Sequence, residues 1–108
     1  MTVYFRIASA AVEPASQDAL TRLASTIRTC PSARVRIEGH TDGDAANTDN
    51  QKLSERRAEA VMRALLKAGV APEQLTAVGF GASRPIAPNT SNDNKRKNRR
   101  IELNVDPS

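Results

Sequence analysis

The hydrophobic residues of this chain switch repeatedly between the two-residue spacing of a strand and the spacing of an amphipathic helix. Val35, Ile37 and Gly39 alternate with charged residues, which predicts a half-buried strand. Strands are predicted at residues 3–7, 35–39, 75–80 and 101–105, and a loop at 81–97. Because helical patterns separate the first three strands, the sequence predicts a two-layer α/β domain with helices on one face of a four-stranded mixed sheet.

Two helices are predicted from apolar stripes. The first begins at Pro14 or Ser16, and Pro31 ends it because the residue before a proline avoids helical geometry. The second begins near Thr48, where the sequence has the spacing of a capping box, and Gly69 ends it. The apolar stripe of this second helix consists of Leu53, Val61, Leu65 and Ala68.

Composition limits the size of the core and the classes of partner. The 108 residues fit a single domain spanning residues 1–108. Aromatic residues make up only 3% of the chain, so the core must be aliphatic and a large ligand cavity is not expected. The net charge of +4 leaves nucleic acid, an acidic membrane surface and a carboxylate-rich polymer open as partners.

Cys30 is the only cysteine, so no intramolecular disulfide is possible. No apolar run is long enough to span a bilayer.

Two charged residues stand where ligand-binding groups are expected. Arg57 lies midway between Leu53 and Val61 on the apolar stripe, where a charge is costly unless it is paired. Asp42 follows the strand at 35–39, and such strand ends often line ligand crevices in sheets with helical crossovers. Structural roles stay open for both residues. Arg57 could be neutralised by an internal carboxylate or reach the edge of the stripe, and Asp42 could form a turn before Gly43.

Together, Asp42 and Arg57 match a zwitterionic ligand. A carboxylate accepts hydrogen bonds from an ammonium, whereas the planar fork of an arginine suits a carboxylate. The ligand would carry both groups on one carbon, as the free head group of an amino acid does.

Several motifs in sequence order resemble the OmpA C-terminal-like family. They are Gly39-His40-Thr41-Asp42, the run from Asn50 to Ala58 with Val61 and Leu65, Val78-Gly79-Phe80-Gly81 with Pro85, and Asn98-Arg99-Arg100-Ile101-Glu102. The resemblance extends from residue 3 to residue 105. This family includes the outer-membrane porin tail, the peptidoglycan-associated lipoprotein and the flagellar stator protein. It implies the strand order 1-4-2-3, with two main helices on one face of the sheet.

The resemblance also implies a function, which is non-covalent binding of peptidoglycan without catalysis, cofactor or metal. Asp42 would hold the ammonium of the diaminopimelate in the stem peptide, and Arg57 would hold its carboxylate. The remaining residues that the resemblance places in this pocket are Thr41, Asn50, Leu53 and Ala58. The domain is expected to be cut from a longer protein, to face the cell wall in the periplasm, and to reach a membrane only through an anchor outside this chain.

The sequence departs from the family pattern at two positions near the expected mouth of the pocket. Many members carry an acidic residue after the phenylalanine of the first strand, where this chain has Arg6. A tyrosine often precedes the asparagine of the second helix, where this chain has Asp49. Both departures concern contacts at the rim and leave Asp42 and Arg57 in place.

Parts of the sequence are also compatible with other functions. The segment 84–100 is strongly basic, so a nucleic-acid-binding domain is the alternative function, although no aromatic residue is interleaved there. Two other interpretations of this segment are a solvated basic loop beside the last strand and a supporting role, with Arg99 and Arg100 as auxiliary residues, in holding the anionic wall polymer. His40 lacks a partner His or Cys for a metal and is expected to orient its loop by hydrogen bonding. A wall-cleaving enzyme is a third class, but no catalytic set is visible.

Overall fold

The computed structural model of the chain describes residues 2–4, 14–43, 47–88 and 90–106. The strands are β1 (Thr2–Tyr4), β2 (Arg34–Gly39), β3 (Leu75–Gly79) and β4 (Arg100–Asp106). The helices are α1 (Pro14–Arg28), α2 (Asn47–Lys67) and α3 (Asn92–Asn98), and a 3-10 turn spans Pro72–Gln74. The predicted mixed α/β fold is confirmed.

The sheet is mixed and its strands lie in the order β1-β4-β2-β3. Strand β2 runs parallel to β3, because α2 connects them as a crossover, and antiparallel to β4. The three longer strands form most of the backbone pairing in the sheet. Strand β1 adds only three residues at the edge beside β4, and residues 5–7 of the predicted first strand fall outside the described part of the chain.

Both long helices contribute to one aliphatic core on one side of the sheet. Val35 and Ile37 of β2 point into this core, while Arg34 and Arg36 are exposed on the opposite face of the sheet. The buried core residues from the helices are Leu20, Ala24, Ile27, Ala58, Val61 and Leu65. The face of α2 that the apolar spacing predicted is therefore buried against the sheet, and Arg57 lies in that helix one position before Ala58.

Two glycines let α2 approach the ends of β2 and β3 closely. A Cβ atom at Gly39 would collide with the backbone carbonyl of Ser54, and one at Gly79 would come within 2.5 Å of the Ser54 hydroxyl oxygen. That hydroxyl accepts a hydrogen bond from the Gly81 amide at 2.9 Å and donates to the Gln51 carbonyl at 2.8 Å. Ser54 thus fixes the helix against the strand ends and sets the position of Arg57, which follows it by three residues.

The loop predicted at 81–97 is wrong in its second half, where α3 forms. Ser91 caps this helix, because its hydroxyl accepts a hydrogen bond from the Asn94 amide at 3.1 Å. The helix is short and has no apolar stripe, so hydrophobic spacing could not reveal it. At its end, the buried Asn98 side chain accepts hydrogen bonds from the amides of Ile86 and Ala87 at 2.8 and 3.2 Å. These bonds hold the preceding loop against α3 and fix the position of Arg99.

Candidate ligand-binding site

The loop that follows β2 is fixed at the carboxyl ends of the strands by backbone hydrogen bonds. The His40 amide donates to the Arg100 carbonyl, and the Thr41 amide donates to the Gly81 carbonyl, each at 2.9 Å. Thr41 and Asp42 are both buried in this loop. This is the strand end where the sequence predicted a ligand-binding carboxylate.

Asp42 forms an ion pair with Arg99. The Nη1 atom of Arg99 donates a hydrogen bond of 3.0 Å to Oδ2 of Asp42, and each side chain exposes only 11% of its surface. Arg99 stands at the junction of α3 and β4, and its amide donates to the carbonyls of Lys95 and Arg96. The interpretation of Arg99 as part of a solvated basic loop is therefore wrong, because the residue is buried and bonded to Asp42.

Arg57 has no solvent-exposed surface and interacts electrostatically with the same pair. The pKa of the Arg57 guanidinium is lowered to about 10, mainly by burial; Asp42 opposes the decrease, and the neighbouring charges of Arg99 and Arg56 contribute to it. The group remains charged at pH 7. Asp42, Arg57 and Arg99 form what we call the acid–arginine cluster, with one negative and two positive charges, and this arrangement suits the binding of an anionic or zwitterionic group.

The other predicted site residues differ from one another in burial and in the groups they pack against. Thr41 and Asn50 are buried and polar, and Leu53 is partly buried. Ala58 has no exposed surface and belongs to the aliphatic core, so its side chain packs with the core residues of the two long helices. Asp49 lies exposed in the first turn of α2, and Arg6 falls outside the described residues.

The His40 side chain does not orient its loop by hydrogen bonding to the described residues, so that prediction is wrong. Only 2% of His40 is exposed, and in the part of the chain that the structure describes neither ring nitrogen has a hydrogen-bond partner. The imidazole stacks on Phe80, with 5.5 Å between ring centroids, and the Arg84 guanidinium lies 3.8 Å from the Phe80 centroid. Burial, aided by the charge of Arg100, lowers the pKa of His40 to about 4, so the ring is neutral at pH 7.

A second group of charged residues, which the sequence analysis did not single out, surrounds His40. It comprises Glu38 of β2 and Glu102 of β4, and both carboxylates lie close to the imidazole. Arg100 is buried, like Arg99, because its Nε atom donates to Glu102 at 2.7 Å and its Nη2 atom to the Arg84 carbonyl at 2.9 Å. That hydrogen bond from Arg100 holds the pKa of Glu102 below its usual value. The two-residue alternation in β2 and β4 could have predicted that both glutamates lie on the face of the sheet opposite the core.

The fold and the acid–arginine cluster define a small α/β domain with a buried polar site at the strand ends. A model of the OmpA family matches residues 4–99, and the chain belongs to this family. The chain is 41% identical over 106 residues to outer membrane porin F of Pseudomonas fluorescens, covering 98% of this chain and 32% of the porin. It is 40% identical over 96 residues to the peptidoglycan-binding protein ArfA of Mycobacterium bovis, covering 89% of this chain and 29% of that protein.

Solved structures show the same architecture. The peptidoglycan-associated lipoprotein from Burkholderia pseudomallei superimposes with a TM-score of 0.94 at 33% identity, over 97% of this chain and 89% of that one. The C-terminal domain of Helicobacter pylori MotB superimposes with a TM-score of 0.91 at 31% identity, over 100% of this chain and 85% of that one. The chain spans about a third of the porin and of ArfA. Within its described residues, every helix is too short or too polar to cross a membrane.

Proposed function

We propose that this domain binds peptidoglycan non-covalently through the diaminopimelate of the stem peptide and so tethers a larger envelope protein to the cell wall. Membership of the OmpA family supports this proposal, as do relatives and structural neighbours whose names describe binding to or association with peptidoglycan. The observation that carries it is the acid–arginine cluster, which combines a buried carboxylate with two buried guanidinium groups at the ends of the strands.

The free end of diaminopimelate carries an ammonium and a carboxylate on one carbon. Asp42 accepts hydrogen bonds from the ammonium, and the planar fork of Arg57 donates to the carboxylate. Since the cluster carries one more positive than negative charge, the carboxylate of the ligand enters a site of net positive charge. Both interactions form where water is largely excluded, so each is stronger than the same pair at an exposed surface.

Thr41 offers a further contact beside Asp42. Its hydroxyl oxygen is buried, and among the residues that the structure describes it has no hydrogen-bond partner. An unsatisfied buried hydroxyl is unfavourable, and a polar ligand that bonds to it would remove this cost. Asn50, which is buried in the first part of α2, and the partly buried Leu53 are the other residues that we assign to the pocket.

The domain acts by attachment and not by catalysis. Two relatives support a location at the outer membrane by their names, outer membrane porin F and the outer-membrane lipoprotein YfiB of Pseudomonas aeruginosa. We therefore propose that this domain faces the wall from the periplasm and that its membrane anchor lies in a part of the protein outside this chain.

Sedimentation with purified diaminopimelate-containing sacculi tests the proposal. The wild-type chain should sediment with the sacculi, and Asp42→Ala should remain in the supernatant. Asp93→Ala removes an exposed carboxylate from α3 and serves as a charge-matched control that should bind like the wild type. A wild-type chain that stays in the supernatant at low salt, or that binds short duplex DNA in preference to sacculi, would contradict the proposal and favour the nucleic-acid alternative.

A further inference from the structure

Two glutamates lie directly opposite each other on adjacent strands. Glu38 of β2 and Glu102 of β4 are cross-strand partners on the face of the sheet opposite the aliphatic core. Like charges in this position repel and destabilise the pairing of the strands. The sheet therefore places two carboxylates side by side, close to the end of β2 where His40 follows, and an arginine pairs with each of them.

The His40 imidazole completes a group of three ligand-type side chains. Its Nε2 atom lies 3.9 Å from Oε1 of Glu38, and one donor atom from each of Glu38, His40 and Glu102 lies within 4.8 Å of the others. His40 is almost fully buried, yet both of its ring nitrogens are without a hydrogen bond to any residue that the structure describes. A buried imidazole without a hydrogen bond to the described residues, beside two carboxylates, has the donor atoms that a metal site uses.

Two arginines orient the carboxylates from outside this group. The Nε atom of Arg36 lies 3.2 Å from Oε2 of Glu38, so the oxygen that faces His40 is the other one. Arg100 binds Glu102 and is itself fixed by the Arg84 carbonyl. Hydrogen-bonded outer partners of this kind commonly hold the ligands of metal sites in position. The side chain of Arg36 is 54% exposed, so its ion pair is weak and can rearrange.

We propose that Glu38, His40 and Glu102 form a binding site for a divalent transition-metal ion, with Zn²⁺ as the test ion. One imidazole nitrogen and two carboxylate oxygens are ligand types that Zn²⁺ accepts, and water would complete the coordination. Two bonds of about 2.1 Å span at most about 4.2 Å, so the carboxylates move slightly inward when the ion binds. The partly exposed Glu102 side chain has room to do so.

The ion would neutralise the repulsion between the glutamates and link β2 to β4. Arg36 and Arg100 oppose the added positive charge, so the affinity should be moderate, on the order of micromolar. The proposal does not depend on peptidoglycan binding, because none of its three ligands belongs to the acid–arginine cluster.

Isothermal titration calorimetry of the chelator-treated chain with Zn²⁺ tests the proposal. Cys30 is not part of a disulfide and its thiol could bind zinc by itself, so the titration is done in a Cys30→Ser background. One ion per chain should bind, and His40→Gln and Glu102→Gln should each weaken binding about tenfold or more. Glu73→Gln removes an exposed glutamate after α2 and should leave the affinity unchanged.

Co²⁺ provides a second measurement that reports on the ligands directly. Its visible absorption should change when it binds the Cys30→Ser chain, and the change should disappear in Glu102→Gln. Glu102→Gln decides the outcome if His40→Gln does not fold, since Glu102 is partly exposed. Absence of Zn²⁺ binding, or binding that both ligand variants retain at wild-type affinity, would overturn the proposal.

Discussion

The Nη1 atom of Arg99 lies 3.0 Å from Oδ2 of Asp42, and both side chains are nearly buried. The carboxylate that we assign to the ligand's ammonium is therefore held in place by an arginine before any ligand arrives. Such a contact fixes the direction of the carboxylate, so less conformational freedom is lost on binding. It also means that an incoming ammonium shares Asp42 with Arg99, which limits the affinity of the site.

Removal of Arg99 should destabilise the domain. Arg99→Ala leaves the buried Asp42 charge with less compensation, and breaking a buried pair costs about 3–5 kcal/mol. We expect the lower end of this range, because Arg57 still interacts with Asp42. Urea unfolding measures the change, and Arg96→Ala removes an exposed arginine of α3 as a control. Equal stability of the two variants would show that the Asp42–Arg99 pair has no structural role.

Replacement of Arg57 should separate binding from stability. Burial disfavours the charged form of Arg57, so Arg57→Met, which keeps most of the volume, should leave Tm unchanged or raise it. Arg57→Ala should lower Tm more than Arg57→Met does, because it leaves a cavity at a fully buried position. Binding to sacculi should fall by about 2–5 kcal/mol in both variants. Arg57→Lys should restore only part of the binding, because a point charge cannot form two parallel bonds.

Thermal melts and sacculus sedimentation of these variants measure the two effects. A large decrease in Tm, together with binding that is retained per folded molecule, would assign Arg57 a structural role instead.

The basic residues of α3 that precede Asn98 should be auxiliary. Neutralising Lys95, Arg96 and Lys97 together should weaken sacculus binding slightly, and mainly at low salt, because exposed charges are screened within about 8 Å at physiological ionic strength. Sedimentation at two salt concentrations measures the effect. Unchanged sacculus binding with loss of binding to duplex DNA would point to nucleic acid as the partner of this helix.

His40 should make stability depend on pH in a metal-free buffer. Its pKa is about 4 in the folded chain and 6.5 in the unfolded chain, so between these values the unfolded state binds more protons. The free energy of unfolding should therefore decrease as pH falls from 6.5 to about 4, by up to about 3 kcal/mol, and His40 should add nothing further below pH 4.

Urea unfolding across this pH range measures the effect of His40, the only histidine in the chain. The difference between wild type and His40→Gln isolates it from the carboxylates, which also titrate at low pH. The opposite sign, with wild type gaining stability relative to His40→Gln on acidification, would mean that the buried ring is protonated in the folded chain.

Hydrophobic spacing predicted much of the fold because the core is aliphatic and the two long helices are amphipathic. Pro14 begins α1 as predicted, and the predicted stripe residues Val61 and Leu65 are fully buried. The spacing could not predict α3, which has no apolar stripe and depends on the Ser91 cap and on Asn98. Both of those interactions are polar and cannot be derived from periodicity.

The sequence predicted the candidate ligand-binding site less completely than it predicted the fold. The position of Arg57 on an apolar stripe marked it as unusual, and the structure shows that it is fully buried. The pairing of Asp42 with Arg99 joins residues 57 positions apart, so it depends on the packing of β4 beside β2. The grouping of Glu38 with Glu102 depends on the same strand register, which the sequence pattern alone leaves undetermined.

Competition between sacculi and free amino acids tests the central claim most directly. The claim requires an ammonium and a carboxylate on one carbon at the end of a side chain, which diaminopimelate provides and an otherwise matched lysine-type stem peptide does not. The protein should therefore sediment with diaminopimelate-type sacculi and less with lysine-type sacculi. Free diaminopimelate should release it at micromolar to millimolar concentration, roughly the affinity expected for one small head group. Equal binding to both wall types, with no release by diaminopimelate, would contradict the claim.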